Sequence, residues 1–318
     1  MRPSSGLFDE WVAATPAAEA AGRMWRSPAA LSLCAECGTG DPVAAIRRTA
    51  LALVADSGLE RPARNLPLLA SLQDIVAIQA LAMADAGRLI PTERGMIVHV
   101  NAGHAAAKRR FSACHEIAHT LIPDFGPGDR RRADASTGLY SIDLEEEYLC
   151  DVGASELLLP TDEFTAALGG SPPSMEALIA LAADFGASFE ATAIKLVRHG
   201  AGDMGLIVWE PGLKPTQLAD MAAPSLFDER DVPAPARKLR VRYACCSGMM
   251  MRHFFPKDKS IADDSLVGQA YTADGSVCGP QEIATGKGPH IFRTESMGFQ
   301  FWNGATLERK VLSLVFPV

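Results

Sequence analysis

Two histidines and a glutamate on one helical turn constrain this chain more than any other feature. In "RRFSACHEIAHTLIPDFG", residues 109–126, His115 and His119 stand four positions apart. At that spacing both imidazoles leave the same helix face about one turn apart, and one nitrogen of each reaches a single zinc ion. Glu116 follows the first histidine, where a carboxylate serves as general base to an attacking water. Phe111, Ile117, Ala118 and Leu121 surround the motif, so the helix is expected to be buried. The alternative is a core helix holding two hydrogen-bonded histidines.

A hydrolytic zinc site needs a third protein ligand and an open fourth position. The segment "DLEEEYLCDVGASELLLP", 143–160, reads as a second helix stopped at Pro160. On it Glu147, Asp151, Ala154 and Leu158 share a face at spacings of four, three and four. Glu147 is therefore the expected third ligand. Asp151, one turn later, is placed to orient a histidine ligand from behind. Glu145 and Glu146 point elsewhere and are expected to meet solvent, as acidic residues do in a first turn favoured by the helix dipole.

These two segments together resemble the ImmA/IrrE family of zinc metallopeptidases. That family carries an Arg-Phe-Thr-x-x-His-Glu-x-x-His helix, followed by one of the type Glu-x-x-Ala-Asn-x-Phe-Ala-x-x-Leu-Leu-x-Pro. The resemblance spans about residues 42–165, including the "MIVHVN" strand, and extends to a helical pair at 175–199. It implies ligands at His115, His119 and Glu147, a base at Glu116, the terminating proline at Pro160, and about one Zn2+ per chain. It further implies an intracellular endopeptidase that cuts a helix-turn-helix transcriptional repressor, in response to a signal such as DNA damage or phage infection. The chain departs from the family at Cys150, where alanine is usual, and at Gly153, where an aromatic is usual. Strand 96–100 precedes the metal helix, where many zinc proteases add an extended substrate as an extra strand.

The expected fold class is α+β. Residues 1–41 read as a loosely helical N-terminal arm, and 42–165 as a mainly helical, zincin-like domain with a small sheet. Residues 166–200 read as a helix-turn-helix-like linker, with a turn at Gly186 and an N-cap at Ser188. Beyond Gly200, "GLIVWEPG", "RKLRVRYACC", "SLVGQAYTADG", "GPHIFRTES" and "KVLSLVFPV" read as short strands between Gly, Pro and Asp turns. They are expected to build a separate sheet-rich, GAF-like sensor domain over 201–318. "VAAIRRTALALVADSG" reads as a helix with Val43, Ile46, Ala50 and Val54 on one face, ending at Gly58.

Composition narrows the functional classes. The net charge of −8 argues against constitutive binding of bulk duplex DNA, which needs a broad basic surface. The longest apolar stretch, "LPLLASLQDIVAIQALAMADAG", is broken by Gln73, Asp74 and Gln79, so it cannot span a bilayer. Asp9 and Glu10 stand where a signal peptide needs an apolar core, and a cytoplasmic location is expected. Seven cysteines, without paired spacing, read as thiols of a reducing compartment.

Two further features bear on regulation. A thiolate ligand in the open position would hold the enzyme latent, and the cysteines considered for such a latch are Cys34, Cys37, Cys150 and Cys114. The stretch 238–243 alternates, with Leu239, Val241 and Tyr243 on one face and Lys238, Arg240 and Arg242 on the other. With Tyr243 and nearby phenylalanines it suits a groove for single-stranded DNA as activator; a solvated strand face is the plainer reading. In the helical pair, Lys195, Arg198 and His199 are the basic residues expected to be exposed. Two rival functions stand beside the peptidase. One is a non-proteolytic, metal-binding transcriptional regulator, and the other a zinc hydrolase of a small amide or peptide.

Overall fold

A computed structural model describes residues 25–123, 130–132, 143–170, 172–222, 235–303 and 306–318. The chain divides into two compact units, one chiefly Pro16–Ser171 with Ala177–His199, the other chiefly Gly200–Val318.

The first unit opens with two capped helices. The Ser27 side chain accepts from Ala30 N–H at the start of α1 (Pro28–Cys37), and Gly38 closes that helix at φ +62°. Asp41 accepts from Val43 and Ala44 N–H at the start of α2 (Pro42–Ser57), which ends at Gly58 with φ +64°. Both left-handed positions suit a residue without Cβ. Val43, Ile46, Ala50 and Val54 are buried on α2 as its spacing predicts. Residues 25–41 are not a loose arm, because α1 buries Ala29, Ala30 and Leu33; residues 1–24 lie outside the described residues.

After a short helix α3 (Leu66–Ser71) comes a sheet of β1 (Ile75–Leu81), β2 (Gly87–Thr92), β3 (Gly95–Asn101) and β4 (Arg130–Arg132). Its order is β1-β3-β2-β4, with β1 parallel to β3 and the other pairings antiparallel. The 95–101 strand is therefore interior, hydrogen bonded on both sides, and cannot take up a substrate as an added strand. Helices α4 (Ala106–His119), α5 (Asp143–Leu158) and α6 (Thr161–Leu168) follow. At Gly153 of α5, a Cβ would lie 3.0 Å from Ala118 Cβ and 3.2 Å from Ile46 Cγ1. The missing side chain thus brings α5 close to both α4 and α2.

Helices α7 (Met175–Phe185) and α8 (Phe189–His199) meet at 114°. Gly186 at φ +63° makes the turn, its carbonyl accepts from the Arg110 guanidinium at 2.7 Å, and Ser188 Oγ accepts from Ala191 N–H. The angle is that of a helix-turn-helix, yet no residue of α8 is exposed. Lys195, expected at the surface, is 3% exposed. Its Nζ donates to Glu156 Oε1 at 2.8 Å and to Thr161 Oγ1 at 2.7 Å, so α8 is tied to α5 rather than offered to DNA. Among the described residues no single helix is long and apolar enough to cross a membrane.

The second unit holds β5 (Gly205–Gly212), α9 (Pro215–Ala222), β6 (Lys238–Cys246), α10 (Leu266–Thr272), β7 (Ser276–Thr285), β8 (Gly288–Asn303) and β9 (Thr306–Phe316). The strands form an antiparallel sheet in the order β6-β5-β9-β8-β7. Ile207, Trp209, Val241, Phe292, Val311 and Val315 pack with Val267 and Ala270 of α10. The buried indole N–H of Trp209 donates to Ser313 Oγ, which in turn meets Ser296 Oγ at 2.7 Å. "SLVGQAYTADG" is helical where a strand was expected. Ser265 Oγ accepts from Gly268 N–H, and this cap starts a helix that local apolar content alone does not signal. The sequence does not signal strand β7, because Gly279 and Pro280 interrupt it; as an edge strand it tolerates the missing N–H.

Candidate metal centre

Helix α4 is buried over its last two turns, from Ser112 to His119. His115, Glu116 and His119 are each no more than 2% exposed, and helix α5 lies across them. His115 Nε2 is 3.1 Å from Glu147 Oε2, and His119 Nε2 is 3.5 Å from Glu147 Oε1. Among the described residues, His115, His119 and Glu147 form the one group of three or more such donors whose atoms all lie within 4.8 Å of one another. Donors at about 2.0–2.1 Å from a tetrahedral ion sit roughly 3.4 Å apart, so the separations and the N, N, O donor set fit zinc.

The ring nitrogens facing away are also held. His115 Nδ1 is 2.8 Å from Asp151 Oδ1. His119 Nδ1 is 3.2 Å from Glu146 Oε1 and 3.2 Å from Cys150 Sγ. Burial raises the Glu147 carboxyl, but the hydrogen bond and charge of His115, with His119 beyond, outweigh it and hold the group below its ordinary range. A carboxylate kept ionised there is ready to bind a cation. Glu116 lies against β2: a Cβ at Gly87 would come 2.5 Å from its Oε1. Glycine at 87 therefore makes room for the prospective base.

Neither Glu145 nor Glu146 projects freely into solvent as expected. Glu145 Oε2 accepts from the N–H groups of Arg26 at 2.9 Å and Ser27 at 2.8 Å, tying the start of α5 to the start of α1. The Trp25 and Tyr148 rings meet beside this tie, centroids 5.8 Å apart. Glu146 turns inward to His119. A helical wheel gives the direction of these side chains, but what meets them comes from distant parts of the chain.

None of the four latch cysteines joins the ligand group. Cys34 and Cys37 sit on α1, half-buried, with Cys37 Sγ 3.8 Å from Thr49 Oγ1. Burial pushes the Cys114 thiol up to about 12, which disfavours the thiolate a metal needs. Cys150 touches His119 on the Nδ1 side, whereas Glu147 faces Nε2.

The basic strand of the second unit also differs from expectation. A register shift between Val208 and Trp209 interrupts the β5–β6 ladder, so the alternation does not separate a basic face from an apolar one. Arg240 is 5% exposed, donating to Gly212 O at 3.0 Å and Asp258 O at 2.9 Å. Arg242 lies 3.7 Å from Glu210, and Tyr243 is buried. Of these residues and Lys238, Lys238 alone is exposed. Segment 258–261 bonds along the outer edge of β6 through Val241 and Leu239, so the strand offers no open groove in which bases could stack.

Residues 73–197 match the family described as the IrrE N-terminal-like domain, Peptidase_M78. A Mycobacterium tuberculosis transcriptional regulator is similar in structure, with a TM-score of 0.52 and 13% identity over 86% of this chain and 76% of that one. At that identity the likeness is one of fold. No curated protein matches the sequence. Residues 73–197, which carry helices α4 and α5, thus form a domain of the IrrE N-terminal-like family.

Proposed function

We propose that the protein is an intracellular zinc-dependent endopeptidase that cleaves a helix-turn-helix repressor, with the C-terminal unit sensing the signal. The observation that carries this reading is the convergence of His115, His119 and Glu147 beside buried Glu116. The three ligands would hold the ion, and Asp151 would fix the ring of His115. Zinc bound there supplies Lewis acidity toward a scissile carbonyl and favours ionisation of water. Glu116 takes the proton of the attacking water on its carboxylate and passes it to the leaving amine. The five-stranded antiparallel sheet with α10 on its core side supports assigning the sensor to Gly200–Val318.

The test uses the full chain loaded with zinc, its Glu116→Gln variant, and helix-turn-helix repressors encoded beside its gene. Wild type is expected to yield a discrete pair of fragments from one repressor and the variant none, with about one zinc per chain in both. A wild-type protein that takes up no transition metal overturns the site. A second reading, a metal-binding transcriptional regulator without proteolysis, draws on the name of the structurally similar mycobacterial protein. It would be supported by metal-dependent DNA or repressor binding that leaves the repressor intact and that Glu116→Gln does not alter.

A further inference from the structure

Helix α5 meets the two histidines with two adjacent stripes of residues, each spaced four apart. The stripe of Glu147 and Asp151 serves His115, one residue at each ring nitrogen, at 3.1 Å and 2.8 Å. One residue back along the helix, Glu146 and Cys150 form a second stripe. Both reach the same nitrogen, Nδ1 of His119, at 3.2 Å each. Residues four apart stack on one side of a helix, and successive residues turn by about 100°. The two stripes therefore run side by side, matching the two histidines one turn apart on α4.

We propose that Glu146 and Cys150 are positioning residues for His119, fixing its ring so that Nε2 is the nitrogen presented to the metal. This rests on the metal-site reading above. An imidazole that offers the lone pair of Nε2 carries its proton on Nδ1 and needs an acceptor there. The Glu146 carboxylate is the acceptor. Cys150, 0% exposed, brings a polarizable sulfur against the same N–H, a weak acceptor that also fills the flank of the ring. The His115 and His119 rings stand edge to face with centroids 5.0 Å apart, so a turn of either would disturb the other.

The variants Glu146→Gln, Glu146→Ala, Cys150→Ser, Cys150→Ala and Glu146→Ala/Cys150→Ala are made in the full chain. They are compared by zinc affinity in competition with a chromophoric chelator, and by the visible spectrum of the cobalt-loaded protein. Imidazole 15N signals of zinc-free protein add a third readout. Glu146→Ala is expected to weaken zinc binding by about 10–100-fold and to alter the cobalt spectrum. Cys150→Ala should weaken it less, while Glu146→Gln and Cys150→Ser, which keep an acceptor, recover most of the loss. At a pH where the zinc-free ring is neutral, the His119 proton is expected on Nδ1 in wild type, and in the double alanine variant the Nε2–H form, which faces Glu147, gains population. The zinc-free signal separates this proposal from the site itself. A wild type without zinc sinks the metal reading, yet the tautomer comparison still decides whether Glu146 and Cys150 hold the ring. A folded double variant with unchanged zinc affinity, cobalt spectrum and tautomer overturns the proposal. So do conservative variants as impaired as the alanines, since a merely structural role predicts that result.

Discussion

Gly87 has no space for a side chain, because a Cβ would press on the Glu116 carboxylate at 2.5 Å from Oε1 and 3.2 Å from Cδ. On the proposed mechanism, Gly87→Ala should leave zinc content unchanged while cleavage falls by about a hundredfold, which a catalytic group displaced by an ångström can cost. Zinc analysis and kcat/KM on one sample check it, and full activity in the variant would show that Glu116 has room to move. Nothing near Gly87 in the sequence signals this role. The convergence of His115, His119 and Glu147, and the approach of Asp151 to His115, were legible because helical period and donor chemistry are local properties. Glu146 and Lys195 were not. Both were expected to meet solvent, and their partners, His119 at 3.2 Å and Glu156 at 2.8 Å, come from other helices.

Helices α5 and α8 are joined by a buried ion pair whose members are each no more than 3% exposed. Burial raises the Glu156 carboxyl, but Lys195 and Thr161 outweigh it and hold the group ionised. For Lys195 burial is the larger effect, and its ammonium ends below its ordinary range despite Glu156. Lys195→Met should destabilise the first unit by about 3–5 kcal/mol, since it takes the closest ammonium from a buried carboxylate and leaves Arg47 at 3.7 Å. Chemical denaturation followed in that unit reads the loss, and a change below about 1 kcal/mol would mean that water reaches the pair. Among elements, the end of the Pro42–Ser57 helix at Gly58 could be read directly, because a glycine stop is short-range chemistry. The Leu266–Thr272 helix and the Ser276–Thr285 strand could not, since a seven-residue helix and an edge strand containing proline contradict local preference. The Asp143–Leu158 helix was legible even so, because a repeated helical face outweighs its glycine.

At the scale of the whole molecule, acid is the expected weakness. His199 is lowered to about 4, first by burial and then by the positive charge of Lys195, with Arg47 and Arg198 adding to it and Glu156 opposing. A histidine lowered in the folded state binds fewer protons there than when unfolded. Its stabilising contribution is present above the ordinary histidine range and is lost as pH falls toward about 4. Unfolding free energy measured across that window should decline for wild type and decline less for His199→Asn; parallel slopes would move the acid sensitivity elsewhere. The division into two units was legible as a change from helical to strand-like periodicity near Gly200, whereas the order of strands in each sheet depends on long-range pairing that no local pattern encodes. That division also sets a timetable. The ribosome finishes α4, α5 and α8 before it starts Gly200–Val318. At about 5–20 residues per second, the remaining stretch takes roughly 6–24 s to emerge. During that interval every new chain carries the His115, His119 and Glu147 group with no C-terminal unit yet made, so a restraint on the proposed peptidase would have to come from the first unit or from a scarcity of metal.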